Sequence, residues 1–271
     1  MTKCQYNMLN KQVTVDILFG RIMQDRYAGD IGDYGKIGLL RALQKQGFKV
    51  GVNWYKTAPP DSEKKSDGTY KQQDGRYKTG DIPEELKKCD PALTQKLAKI
   101  AEDEAHRSIA ALERAKLVPD AAYYHEPISV ARRNEWHQKA LQTLSGADLV
   151  FLDPDNGLLV DSVGPGSARS VKYAFYDEVA DYIKAGKSVV IYNHRCRKPE
   201  EQYFADIENK LREALKDVKY YDIQAITFFK RSVRDYFIVS ATKDYSKRIR
   251  TVIREMTSGA WGAMCREPKS N

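Results

Sequence analysis

The chain has 271 residues, 42% hydrophobic and 30% charged, with 45 Lys and Arg against 37 Asp and Glu for a formal net charge of +8. That length allows one large domain or two small ones, and no stretch reaches the roughly 20 apolar residues of a membrane-spanning helix. The opening MTKCQYNMLNKQ lacks the apolar core of a secretory signal, so a soluble, cytoplasmic protein with no membrane partner is expected.

In chain order, VTVDILF (13–19) reads as a strand and KIGLLRALQKQG (36–47) as a helix, with Ile37, Leu40 and Leu43 on one face and Gly47 placed to end it. FKVGVNWY (48–55) reads as a strand. The polar stretch 56–82 reads as a long loop and 83–116 as a charged helical region. A further helix is expected over 129–144, so that 56–145 forms a loop and helical insert. The second half alternates: strand 147–152, helix 171–185, strand 187–192, helix 200–216, strands 220–229 and 235–241, then helix 245–256. Alternation of this kind implies parallel crossovers, and the short link KRSVR implies a final antiparallel hairpin. The expected fold is a single α/β domain over 1–271, with a Rossmann-like, mostly parallel sheet and a C-terminal antiparallel hairpin.

Three clusters are candidates for chemistry. Asp153, Asp155 and Asn156 follow the most apolar strand, where ligands bind in open α/β sheets. They suit acceptance of hydrogen bonds from an amino group, or a divalent cation. The same residues also suit an Asx-rich turn closed by Gly157. YAGDIGDYGKIGLL (27–40) places Gly29, Asp30, Asp33 and Lys36 before or within a helix, without the spacing of a dinucleotide fingerprint or a P-loop. It serves either close approach to a ligand or a glycine-rich helix cap. Tyr192, His194, Arg195 and Arg197 follow strand 187–192, and Lys172 follows the Asp153 turn, all placed to meet phosphate or base. The basic clusters 194–198, 230–234 and 246–254 favour a nucleic-acid partner, DNA or RNA. Cys4, Cys89, Cys196 and Cys265 are widely scattered and read as reduced thiols. His106, His125 and His137 lack metal-ligand spacing.

These residues carry a resemblance. The ending ITFFKRSVRDYFIVSA resembles the last hairpin of class I methyltransferases. YAGDIGDYGKIGLLRAL resembles the AGN-x-AD-x-x-KH segment of bacterial adenine-N6 methyltransferases that act on large-subunit ribosomal RNA. FLDPDNGL resembles their D-P-P-Y motif. The chain is also similar to a bacterial and phage family carrying both motifs. The resemblance implies S-adenosylmethionine as cofactor, flanked by Gly29, Asp30, Asp33 and Lys36. It implies that Asp153 receives an exocyclic amino group, with Asp155 and Asn156 standing where proline and an aromatic are expected. The family's glycine-rich turn after its first strand is here KTAPPDSE. VFLDPDNGLL also resembles the D-x-D strand end of haloacid dehalogenases, which implies a Mg²⁺-dependent phosphoester hydrolase or nuclease using Asp153 and Asp155. A catalytically degenerate module that binds nucleic acid or protein is the third reading.

Overall fold

The computed structural model describes residues 25–57, 83–103, 106–230 and 233–269. The predicted strand at 13–19 and most of the 56–82 loop lie outside them. Helix α1 (Ile31–Lys45) starts five residues earlier than predicted. Asp30 caps it, accepting from the Asp33 amide at 2.9 Å, and Asp33 reaches back to the Gly29 amide at 2.7 Å. The glycines thus lie inside the helix, where intrinsic propensity disfavours them. Packing explains them: a Cβ on Gly35 would stand 2.7 Å from the Phe228 ring, and one on Gly38 would overlap Trp261.

Strand β1 (Val50–Asn53) follows. The predicted helical region divides into α2 (Glu84–Lys87), α3 (Pro91–Glu102) and α4 (Ile109–Arg114). Asp90 caps α3 with Pro91 behind it, and Ser108 caps α4. Strand β2 (Ala122–Tyr124) lies within the predicted insert yet pairs in parallel with β1, so this stretch also builds the sheet. Its three residues were too short to signal a strand.

Then come α5 (Arg133–Thr143), β3 (Leu149–Leu152), β4 (Gly157–Leu158) and β5 (Tyr173–Ala174), followed by α6 (Tyr176–Lys184). The helix predicted over 171–185 is therefore shorter. Its first residues form the end of a 3-10 turn, Ala168–Lys172, and then β5, which pairs with β4. Strand β6 (Ser188–His194), α7 (Glu200–Ala214), β7 (Asp222–Phe228), β8 (Arg234–Ser240), α8 (Lys243–Ser258) and β9 (Cys265–Arg266) complete the chain.

The main sheet has seven strands in the order β2-β1-β3-β6-β8-β7-β9. The pairs β1–β2, β1–β3 and β3–β6 are parallel; β8 is antiparallel to both β6 and β7, and β9 to β7. Five strands thus run one way and two the other. This is an α/β, Rossmann-like architecture with the expected hairpin. Strand alternation divides the core. Phe151, Tyr192 and Tyr236 face the layer of α1, α3, α4 and α8, whereas Val150, Ile191 and Phe237 face α5, α6 and α7. No helix among the described residues is long and apolar enough to cross a membrane.

Gly157 is the glycine that the turn after β3 requires. Its φ is +110°, and a Cβ would overlap the Asn193 side chain. That side chain accepts from the Leu158 amide at 2.6 Å and donates to the Tyr203 hydroxyl at 2.6 Å. Gly157→Ala is expected to lower unfolding free energy by about 2–4 kcal/mol, from backbone strain and the displaced buried hydrogen bonds. Urea denaturation checks this; an unchanged midpoint contradicts it.

Candidate functional site

From β1 the chain moves outward to β2 and then returns to the opposite side of β1 as β3. This reversal creates a switch point, and the crevice beyond the carboxyl ends of β1 and β3 is where open α/β sheets bind ligands. Asp153 is the first residue past β3, and its amide donates to the Asn53 carbonyl at 3.0 Å. The alternation that turns Phe151 towards α1 turns Asp153 the same way. There it meets Lys36, one turn into α1, with Nζ 2.6 Å from Asp153 Oδ2 and 3.1 Å from Asp33 Oδ1. The ammonium also lies 5.7 Å from the Trp54 ring centre and 5.4 Å from that of Tyr192.

Burial pushes the Asp153 carboxyl up to about 6, with Lys36 opposing the rise. Burial penalises the Lys36 ammonium, but Asp153 and Asp33 outweigh it and hold its pKa well above the usual lysine value. The pair is therefore ionised at neutral pH. Asp30 is also raised, by burial and then by Asp33, with Arg234 countering.

A second chain of contacts adjoins the pair. Arg234 Nε donates to the Tyr192 hydroxyl at 2.9 Å, and that hydroxyl lies 3.0 Å from His194 Nε2. The Tyr192 hydroxyl thus links the Arg234 guanidinium to the His194 ring. Desolvation, then the cations Arg234 and Lys36, push His194 down to about 4. It stays neutral at pH 7.

Asp155 takes a different direction. Its Oδ2 lies 3.3 Å from Thr57 Oγ1, just past β1, and 3.9 Å from Lys172 Nζ. The Asn156 amide donates to the Lys172 carbonyl, and the His194 amide to the Asn156 carbonyl. The turn after β3 thus ties together the ends of β1 and β6 and the 3-10 turn.

The predicted residues divide accordingly. Asp33, Lys36, Asp153 and Tyr192 converge, with Asp30 and His194 at their edge and Asp155, Asn156 and Lys172 beside them. Gly29 does not line the cleft: a Cβ on it would face Leu97 and Ala101 of α3. Arg195 is held elsewhere, bidentate on Asp235 at 2.9 and 2.6 Å and bonded to Thr227 and Glu200, so its guanidinium braces the strand ends. Arg197 is exposed. Arg234 entered the sequence reading only within the basic cluster 230–234 and was not placed in this site. The antiparallel pairing of β6 with β8, which sets it opposite His194, brings it to the site.

The turn after β1 lacks glycine but not its backbone shape. Tyr55 takes a left-handed φ of +47°, a conformation that glycine adopts more readily. Its ring is buried against Trp136 on the opposite face, its hydroxyl bonded to Glu178. The aromatic ring that this turn places on the α1 side is that of Trp54, 5.7 Å from the Lys36 ammonium and bonded through Nε1 to Glu113 at 2.9 Å. The residues suit Mg²⁺ poorly: the Lys36 ammonium stands between Asp33 and Asp153, and no group of three or more His, Cys, Asp or Glu poised for a metal occurs among the described residues. No family model matches the chain, and comparisons with curated proteins and with solved structures give no significant match.

Proposed function

We propose that this chain is an S-adenosylmethionine-dependent N-methyltransferase of the class I type, acting on an exocyclic amino group of a nucleic-acid base. The observation that carries the reading is the buried Lys36–Asp153 pair at the switch point, 2.6 Å apart. When bound, the cofactor would supply an electrophilic methyl group. Asp153 accepts a hydrogen bond from the substrate amine and so orients the nitrogen lone pair. Lys36 keeps the carboxylate ionised and fixes its direction, while Asp33 fixes Lys36. The methyl group would leave the cofactor with the bonding electron pair staying on its sulfur, and Asp153 would receive the proton that the newly methylated nitrogen releases. Lys172 supplies positive charge beside this site for the nucleic-acid backbone.

S-adenosylhomocysteine binding tests the reading. Its addition is expected to raise the melting temperature, because a ligand of the native state stabilises it. No rise, together with a Mg²⁺-induced rise that Asp153→Ala removes, overturns the reading in favour of phosphoester chemistry. Nucleic-acid affinity is expected to fall roughly tenfold or more between 50 and 200 mM salt, as phosphate contacts release counterions. An affinity flat across that range contradicts a phosphate-gripping surface.

A further inference from the structure

A cavity of about 770 Å³ opens on the sheet face opposite Lys36, between the β4 loop and α7. It shares Asn156 and His194 with the candidate site. Its size suits a drug-sized or nucleoside-sized ligand. The floor is apolar and aromatic: Leu158, Ile207, Tyr203 and Tyr176 belong to or pack on the core of that face. Around it stand the side-chain amides of Asn156, Gln202 and Asn209, which make no hydrogen bond among the described residues. The charged groups at the rim cancel, since Lys198 pairs with Asp206 at 2.6 Å and Lys210 with Asp161 at 2.5 Å.

These features select a neutral, flat ring with donors and acceptors along its edge. An anion would meet as many carboxylates as ammonium groups. A purely apolar ligand would leave three amides unanswered. A nucleobase meets both demands, stacking on the aromatic floor and bonding through its edge.

The geometry points to this cavity as a pocket for a second base of the substrate strand, flanking the one presented to Asp153. The inference rests on the nucleic-acid reading above and extends it. Asp153 and the cavity floor lie on opposite faces of the sheet, so one base cannot serve both. Asn156 and His194 stand where the strand would pass from one to the other. A pocket of this kind makes the enzyme selective for the base beside its target.

Cys196 lines the cavity and is exposed, which makes it a reporter. The rate of Cys196 alkylation by N-ethylmaleimide is followed by peptide mass spectrometry on the full chain, with adenosine, guanosine, cytidine, uridine or ribose 5-phosphate present. At least one nucleoside is expected to slow the reaction about tenfold at roughly ten times its Kd. Ile207→Trp, which fills the floor, should abolish that protection, and Gln202→Ala at an exposed helix position should weaken it. Protection by no nucleoside, equal protection by ribose 5-phosphate, or protection undiminished in both variants overturns the proposal. The S-adenosylhomocysteine melting shift, measured on the same samples, separates the two readings. A shift without Cys196 protection removes the base pocket alone. Protection without a shift removes the methyltransferase reading and leaves a base-binding pocket.

Discussion

Asp153→Asn is expected to reduce methyl transfer by about two to three orders of magnitude while leaving the fold intact. The substitution keeps the shape of the side chain but removes the charge that Lys36 faces at 2.6 Å. An amide cannot receive the proton that the substrate nitrogen releases. The pH profile gives a second reading of the same group. Because burial places Asp153 at about 6, the wild-type rate should rise about tenfold per pH unit below that value and level off above it. Stability moves the other way. The folded pKa lies above the unfolded value of about 3.9, so from about pH 4 to 6 the native state holds more protons than the unfolded chain. The contribution of Asp153 to stability therefore falls as pH rises through that window, while activity rises. Asp153→Asn should remove both slopes. An activity profile that keeps its limb near pH 6 in the variant would assign that limb to another group.

Arg133→Ala is the second large effect, and it acts on stability. Arg133 is buried and bidentate on Glu178, at 2.6 and 2.8 Å, and also donates to the carbonyls of Ser170 and Tyr173. Its guanidinium lies 3.4 Å from the Phe175 ring centre. Glu178 in turn accepts from the Tyr55 hydroxyl at 3.0 Å and the Phe175 amide at 2.9 Å. Removing the arginine leaves a buried carboxylate without its cation, at an expected cost of about 3–5 kcal/mol. Replacing both partners, as Arg133→Met with Glu178→Met, should cost less, because no buried charge is left unpaired. Urea denaturation of the single and double variants decides this; equal losses would contradict the pairing argument. The network also braces the left-handed turn at Tyr55 and the 3-10 turn that carries Lys172. Its loss should therefore weaken S-adenosylhomocysteine binding as well.

Much of the second half of the fold was legible because its strands are apolar runs separated by amphipathic helices. The link KRSVR, too short for a crossover, announced the hairpin of β7 and β8. Strand β2 was illegible: three residues without alternation carry no period. The start of α1 was misplaced because glycines at 32 and 35 argue against a helix locally, as Gly38 does inside the predicted stretch. Only the tertiary contacts with Phe228 and Trp261 show why they are there.

The candidate site was half legible. Asp153 and Lys36 could each be singled out from local pattern, but their contact across 117 residues could not. Arg195 shows the opposite failure: a basic loop after a strand suggested phosphate binding, whereas Asp235, Thr227 and Glu200 hold it in the frame. The glycine missing after β1 looked like a lost cofactor turn. Tyr55 takes a left-handed φ at this turn, with its ring buried on the far face. A residue type can be read from sequence, but a left-handed φ on a tyrosine cannot.

The Lys36–Asp153 pair is proposed as the reactive centre of a methyltransferase. Transfer of a radiolabelled methyl group from S-adenosylmethionine to RNA or DNA, compared between the wild-type chain and Asp153→Asn, tests it most directly. Label is expected on an exocyclic amino group with the wild type and only at background with the variant. Equal labelling by both proteins, or background labelling by a wild-type chain whose melting temperature S-adenosylhomocysteine leaves unchanged, would contradict it.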